Sequence, residues 1–430
     1  MKVINKEILH RQITIQDFKK IWSIITANAL WMYIIVNIIY ILVGSYFYTA
    51  GKMHMETFAI GEILLMVLNV IAIIILIING KYKKSSMHFC ILSILIFTII
   101  STMFSRIHKV ALFGLAFRYE GLLGICYYLS LTFLASLLDK KYKKIIINSI
   151  LVTGLIQSIY ALCQVYDVPN IYNPMKNIAQ GFISNPNFFG TYMLICLSYA
   201  LGLYINAEKT ILKIIYIVAS IILTIGLLIS NTMSAIVGLM FVLLYILIYC
   251  IKKRQLLKLI ITILIVVVST IITSNLGKTN VIRDIETTTQ ETVQIAKGNT
   301  NDNYGSGRMA IWKETLKIVP KYFWFGVGPD NFYYAFGVEP LKIGITQIAV
   351  DKAHNEYLNT LVTQGIFTLI SYLALYFIVL KNGIKLSFRD EKLYLILPII
   401  GYLIQAFFNI SVIEVAPLFY IALGLCNIEK

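Results

Sequence analysis

The hydrophobic pattern of this chain consists of long unbroken apolar runs, interrupted once at length by a polar stretch. Runs of about eighteen or more apolar residues recur, and each is long enough to cross a ~30 Å hydrocarbon core as a helix. Their approximate limits are 21–43, 58–80, 88–105, 119–138, 145–166, 187–206, 211–230, 233–251, 257–274, 356–380, 393–410 and 412–428. None shows the strict alternation of a barrel strand, and only helices or closed barrels satisfy the backbone in lipid. The pattern therefore predicts an all-α polytopic membrane protein of about twelve transmembrane helices. It reads as a single integral membrane domain, 1–430, with a large extracytoplasmic loop over 275–355 between spans nine and ten. The turn around Asn409 to Ser411 is very tight, and a re-entrant feature is the alternative to two full spans there.

Composition agrees with this reading. Of 430 residues, 58% are hydrophobic and 13% charged, and the mean hydropathy is +0.78, far from a soluble domain. The net charge of +16 would raise nucleic acid for a soluble chain; here it reads as topology, with no nucleic-acid partner. With the N-terminus inside, Lys2, Lys6, Arg11, Lys81, Lys83, Lys140, Lys141, Lys143, Lys144, Arg389, Lys392 and Lys430 all fall on cytoplasmic segments, as the positive-inside rule requires. The short outer segments hold only Lys52, Arg106, Lys109, Arg118 and Lys176. Both termini are thus expected in the cytoplasm and the long loop outside. The six cysteines are scattered through apolar runs without metal or disulfide spacing, and read as small hydrophobes.

The few outer charges carry the candidate chemistry. Arg118 lies beside Glu120 at the mouth of a span, where an ionisable pair is a functional candidate; a purely structural Arg–Glu pair is the alternative. Arg106 is either a headgroup anchor or a helper to the same site. In SNPNFFGTY (184–192), Asn185 and Asn187 are either turn chemistry or hydrogen-bonding groups for a sugar or phosphate. Within the long loop, residues 274–303 read as partly irregular. Gly305-Ser306-Gly307 then breaks the chain, with Ser306 as a helix cap. Met309, Trp312, Leu316 and Val319 follow at helical spacing. They predict an amphipathic surface helix, ended by Pro320, with Trp312 anchored in the lipid interface. Arg308 in its first turn opposes the helix dipole, which makes sense if an anion binds there. WFGVGPDNF (324–332) reads as a framework turn with Asp330 as a cap. His354 opens the tenth span in AHNEYLNTL, where a helix N-terminus keeps the imidazole neutral and able to accept a proton. Asp284 and Glu286 form an acidic pair that could hold a divalent ion, but they lie in the least ordered-looking part of the loop and His354 has no histidine partner, so neither a metal nor a cofactor is expected.

Taken in order, FRYEGLLG (117–124), GFISNPNFFGTY (181–192), NTMSAIVGL (231–239), GSGRMAIWKETLKIVP (305–320), WFGVGPDNF (324–332), AHNEYLNTLVTQGIFTLISYL (353–373) and QAFFNISVIEVAPLFYIALG (405–424) form a set. The set resembles the O-antigen ligase and polymerase superfamily, polytopic membrane glycosyltransferases of GT-C type. The resemblance runs from about residue 90 to the C-terminus. It implies an inverting, metal-independent transfer of a glycan from undecaprenyl pyrophosphate to a hydroxyl on a glycan or lipid-linked sugar. The site would face the extracytoplasmic side of the cytoplasmic (inner) membrane. It further implies that Arg118 and Arg308 hold the pyrophosphate and His354 deprotonates the acceptor; Arg106, Glu120, Asn185, Asn187 and Asn355 are the candidate supporting residues beside them. A Wzy-type polymerase of the same superfamily remains open. So, from another class, does a transporter or flippase of polyprenyl-linked sugars, although its polar groups would be expected near the bilayer midplane.

Overall fold

The apolar runs fold as helices because lipid leaves the backbone no other partner than itself. In the computed structural model, which describes residues 15–78, 80, 82, 84–169, 171–172, 178–275, 281–299, 301–337, 341–343 and 346–427, the order begins with α1 (Ile15–Thr49), α2 (Met55–Ile78), α3 (Ser86–Met103) and a short α4 (His108–Phe113). Next come α5 (Leu122–Ser136), α6 (Lys140–Val165), α7 (Pro186–Asn206), α8 (Thr210–Ile229), α9 (Met233–Lys252) and α10 (Leu256–Asn275). The polar stretch holds α11 (Val281–Ala296), α12 (Arg308–Tyr322), α13 (Phe332–Phe336) and a small antiparallel hairpin of β1 (Leu341–Ile343) and β2 (Thr346–Ile348). The chain closes with α14 (Glu356–Asp390), a 3-10 turn at Leu393–Leu395, α15 (Leu397–Gln405) and α16 (Ala416–Leu425). Lys2, Lys6, Arg11, Lys81, Lys83, Lys176 and Lys430, used above for topology, lie outside the described residues.

Among the described residues, nine helices (α1, α2, α3, α6, α7, α8, α9, α10 and α14) are long and apolar enough to cross a membrane. The other three expected spans are shorter: α5 has 15 residues, α15 has 9 and α16 has 10. At 1.5 Å per residue, α15 and α16 are each roughly 15 Å long, half a hydrocarbon core. The stretch around Asn409 to Ser411 is correspondingly not a tight turn between two full spans. It is the irregular connection 406–415, lodged inside the bundle with Asn409 and Glu414 both buried.

The most apolar span is not the core. α2 exposes Leu64, Leu68, Ile71 and Ile78 along its length, whereas α7 is buried over its whole span. Lipid is as apolar as leucine, so hydrophobicity marks the lipid face and not the interior. Around α7 pack α8, α15, α6 and α9; α5 and α16 lie against each other, and α3 lies along α14.

Two glycines lock the polar stretch to this bundle. α14 is kinked at Gly365, whose φ is +82°, and the 323–328 turn fits into the kink. Ile366 donates its N–H to the Phe323 carbonyl at 2.8 Å, Val327 to Val362 at 3.0 Å and Gly328 to Thr363 at 2.8 Å. A Cβ on Gly326 would sit 2.2 Å from the Thr363 carbonyl oxygen, and one on Gly365 2.2 Å from that of Trp324. WFGVGPDNF is framework, as its sequence indicates. Within the stretch expected to be partly irregular, residues 281–296 form a helix and the described residues of 297–303 do not. Two local expectations need correction. The cap of α12 is Gly307 in the left-handed region (φ +83°), with no side-chain bond from Ser306. Pro320 lies inside α12 without ending it.

Candidate functional site

The site forms where four segments meet at one end of the bundle: the α4–α5 loop, the start of α7, residues 350–355 ahead of α14, and the 406–415 connection. Arg118 comes from the first. Its Nε donates to Asp351 Oδ2 at 2.5 Å, and its guanidinium lies 5.3 Å from the Phe117 ring centroid and 5.7 Å from that of Phe188. Burial works against the arginine's charge; the hydrogen bond and charge of Asp351 outweigh it, and the Arg118 pKa is raised. Burial likewise pushes the Asp351 carboxyl up, and the bond and charge of Arg118 bring it below the ordinary value.

Arg118 and His354 line one cavity of about 240 Å³, together with Asn185, Asn187, Phe188, Asn409 and Glu414. Asn185 caps α7, its side-chain oxygen accepting the Asn187 N–H at 2.8 Å. His354 stands one residue before the cap of α14, in the left-handed region (φ +49°). The cap itself is Asn355, whose Oδ1 accepts the Leu358 N–H at 3.0 Å. His354 therefore does not open the helix, and its neutrality has another source than the helix end. Burial is the largest cause, followed by the charge of Arg308; Asp351 opposes both and Arg118 adds to them. The His354 pKa falls to about 4.

Arg308, the first residue of α12, does not line this cavity, but its charge acts on His354. Its Nη1 donates to the Gly305 carbonyl at 2.9 Å. Its buried Nε meets no hydrogen-bond acceptor, and no carboxylate forms an ion pair with it, among the described residues. Burial lowers its pKa. One turn further along α12, the Trp312 Nε1–H donates to the Ala353 carbonyl at 3.0 Å, and its ring packs edge-on to Phe407 at 5.5 Å. Trp312 thus fastens α12 to the segment carrying His354, in place of the expected lipid anchor.

The remaining supporting residues divide. Arg106 is spent on framework, its Nη1 donating to the Tyr334 carbonyl at 2.6 Å and its N–H to Val327 at 3.1 Å. Asn355 is used as a helix cap. Glu120 does not pair with Arg118. It is buried, with Oε2 2.8 Å from Lys352 Nζ, and Oε1 accepting from Tyr128 at 3.0 Å and Ser411 at 2.7 Å. Lys352 Nζ also lies 2.8 Å from Asp330 Oδ1. Asp330 Oδ2 accepts the N–H of Leu115 at 2.7 Å and of Glu120 at 3.3 Å, so Asp330 is not a cap of α13.

Sequence reasoning missed Lys352, Asp330 as an ion-pair member, and Glu414. Glu414 is 1% exposed; its Oε1 accepts the Ser184 N–H at 2.9 Å, and its Oε2 accepts from the Ser184 hydroxyl. The signal for it was present: it is the lone charge in the apolar run 407–426.

The helices and this polar cavity at the bundle's edge define a multi-pass membrane protein whose ionisable residues converge at one end. Residues 218–373 match the family described as O-antigen ligase, a match that supports the O-antigen ligase and polymerase superfamily and surface-polysaccharide biosynthesis. The matched stretch contains Arg308 and His354; Arg118 lies outside it. No curated protein matches the chain.

Proposed function

We propose that the chain is a membrane glycosyltransferase that moves a glycan from undecaprenyl pyrophosphate to an acceptor hydroxyl at the outer face of the cytoplasmic membrane. The observation that carries this reading is the cavity shared by Arg118 and His354 with Arg308 beside it. His354, the proposed base, feels the charge of both arginines, and it lies with Arg308 in the stretch 218–373 that matches the O-antigen ligase family. The acceptor oxygen attacks the anomeric carbon, the bond from that carbon to the pyrophosphate oxygen breaks, and the acceptor proton passes to the neutral imidazole of His354. Such a base contributes ~10²–10⁴-fold. Negative charge grows on the departing pyrophosphate, where positioned cations stabilise it most. Arg308, which no carboxylate pairs among the described residues, brings its charge to this task. Arg118 is paired with Asp351, so the donor's phosphate competes with that carboxylate.

In this reading 275–355 is an extracytoplasmic segment of a single membrane domain, and both termini are cytoplasmic. Its support is the far end of the bundle, where Lys140, Lys143, Arg389 and Lys392 gather around Asn427, as cytoplasmic basic residues do. The test is to supply purified protein in proteoliposomes with a polyprenyl-pyrophosphate oligosaccharide and candidate acceptors. A new glycosidic bond is expected, and Arg308→Ala is expected to weaken donor binding about tenfold or more, the scale of a lost charge-assisted hydrogen bond. Movement of the lipid-linked sugar across the vesicle without bond formation, or unchanged donor binding by Arg308→Ala, contradicts the proposal.

A further inference from the structure

We propose that Lys352 is a positioning residue that fixes His354 relative to Arg118, using the buried carboxylates Glu120 and Asp330 as its seat. Lys352 is 4% exposed, and its Nζ lies 2.8 Å from each carboxylate. Glu120 follows Arg118 by two residues, and Lys352 precedes His354 by two. One ion triad therefore ties the loop that carries one site residue to the loop that carries the other. Asp330 references the clamp to the scaffold. It accepts the N–H groups of Leu115 and Glu120, and the turn preceding it is stitched to the α14 kink through Val327 and Gly328.

The triad faces a separate cavity of about 50 Å³ and does not line the one shared by Arg118 and His354. It has no contact with the reacting groups and acts through the backbone. The backbone needs it: His354 holds a left-handed φ of +49°, which a non-glycine residue keeps only where its surroundings impose it. Its neighbours do so on both sides. Lys352 is clamped, the Ala353 N–H donates to Asn359 Oδ1 at 3.2 Å while its carbonyl takes the Trp312 bond, and Asn355 caps α14. The Arg118–Asp351 pair also joins the two loops, but it borders the cavity and must rearrange when an anion binds Arg118. The buried triad keeps the spacing through that exchange. A buried ion cluster gives little net stability over apolar packing of the same shape, so its value here is geometric.

The inference rests on the proposed reaction only for its turnover measurement. Lys352→Met alone leaves two facing buried carboxylates, so the informative variant also carries Glu120→Gln and Asp330→Asn, with Lys352→Arg as the conservative control. Three quantities are read on full-length protein in detergent and proteoliposomes: thermal unfolding, the rate of His354 modification by diethyl pyrocarbonate followed by peptide mass spectrometry, and glycan transfer. The neutral variant is expected to melt cooperatively, to label His354 several-fold faster, and to lose ~100-fold in kcat, the cost of about 1 Å of misplacement, with donor KM little changed. Lys352→Arg is expected to label at the wild-type rate. A folded neutral variant with wild-type labelling overturns the proposal, and one that fails to fold assigns the triad to stability and overturns it as well. Absence of transfer by the wild type refutes the proposed reaction and leaves the labelling to decide this one.

Discussion

Lowering the pH from 7.5 to 5.0 tests the environment of His354 without any substrate. In the folded chain, burial and the Arg308 charge hold its pKa at about 4, against 6.5 for an unperturbed histidine. Between those values the unfolded state binds more protons than the folded one, so stability rises with pH. The contribution is complete above about 6.5 and is lost as pH falls from there toward about 4. At ~1.4 kcal/mol per pH unit the whole difference is about 3 kcal/mol, and about 2 kcal/mol of it falls between pH 7.5 and 5.0. His354→Gln removes the titration and retains a polar side chain of similar reach. Melting temperatures of both proteins in the same detergent at the two pH values give the comparison, because all other titrating groups are common to both. The wild type is expected to lose roughly 2 °C more than the variant, the scale of that free energy for a chain of this length. Equal losses, or a larger loss in His354→Gln, refute the assignment of a half-buried neutral imidazole.

Two further substitutions test the frame around it. Gly326→Ala forces a Cβ to 2.2 Å from the Thr363 carbonyl oxygen at a φ of +73°, and is expected to lower the melting temperature by more than the ~1–2 kcal/mol of the backbone conformation alone. A melting curve matching wild type contradicts that account of the kink. Glu414→Ala strips both hydrogen bonds from Ser184 and is expected to cost about 1–3 kcal/mol for the buried groups left unpaired. Glu414→Gln keeps an acceptor and is expected to cost less, so the reverse order in thermal unfolding contradicts the assigned bonds.

The sequence made the membrane class legible, because apolar run length is a local signal; isolated outer charges singled out Arg118, Arg308 and His354 as candidates, and the structure sets Arg118 and His354 on one cavity. Pairing was not legible. Glu120 sits beside Arg118 in the chain, yet its partner is Lys352, and Arg118 instead takes Asp351. A two-residue spacing says nothing about a loop that folds back over hundreds of positions. Trp312 fitted an interfacial anchor by its helical stripe, and only the packed structure shows its N–H directed at Ala353. For residues 393–428 hydropathy leaves two readings open, two full spans around a tight turn or a re-entrant feature, and does not decide between them. The irregular segment that brings Asn409 and Glu414 into the cavity follows from packing.

With His354 as the base and the arginines as the donor's anion site, binding and chemistry are separable in one variant. Donor binding and glycan transfer should therefore be measured on the same preparation of His354→Ala, with a fluorescent polyprenyl-pyrophosphate oligosaccharide in proteoliposomes. Donor affinity is expected within about threefold of wild type, since no charged contact is lost, with transfer reduced by ~10²–10⁴-fold. Transfer at the wild-type rate, or loss of donor binding with the chemistry intact at saturation, would contradict these roles.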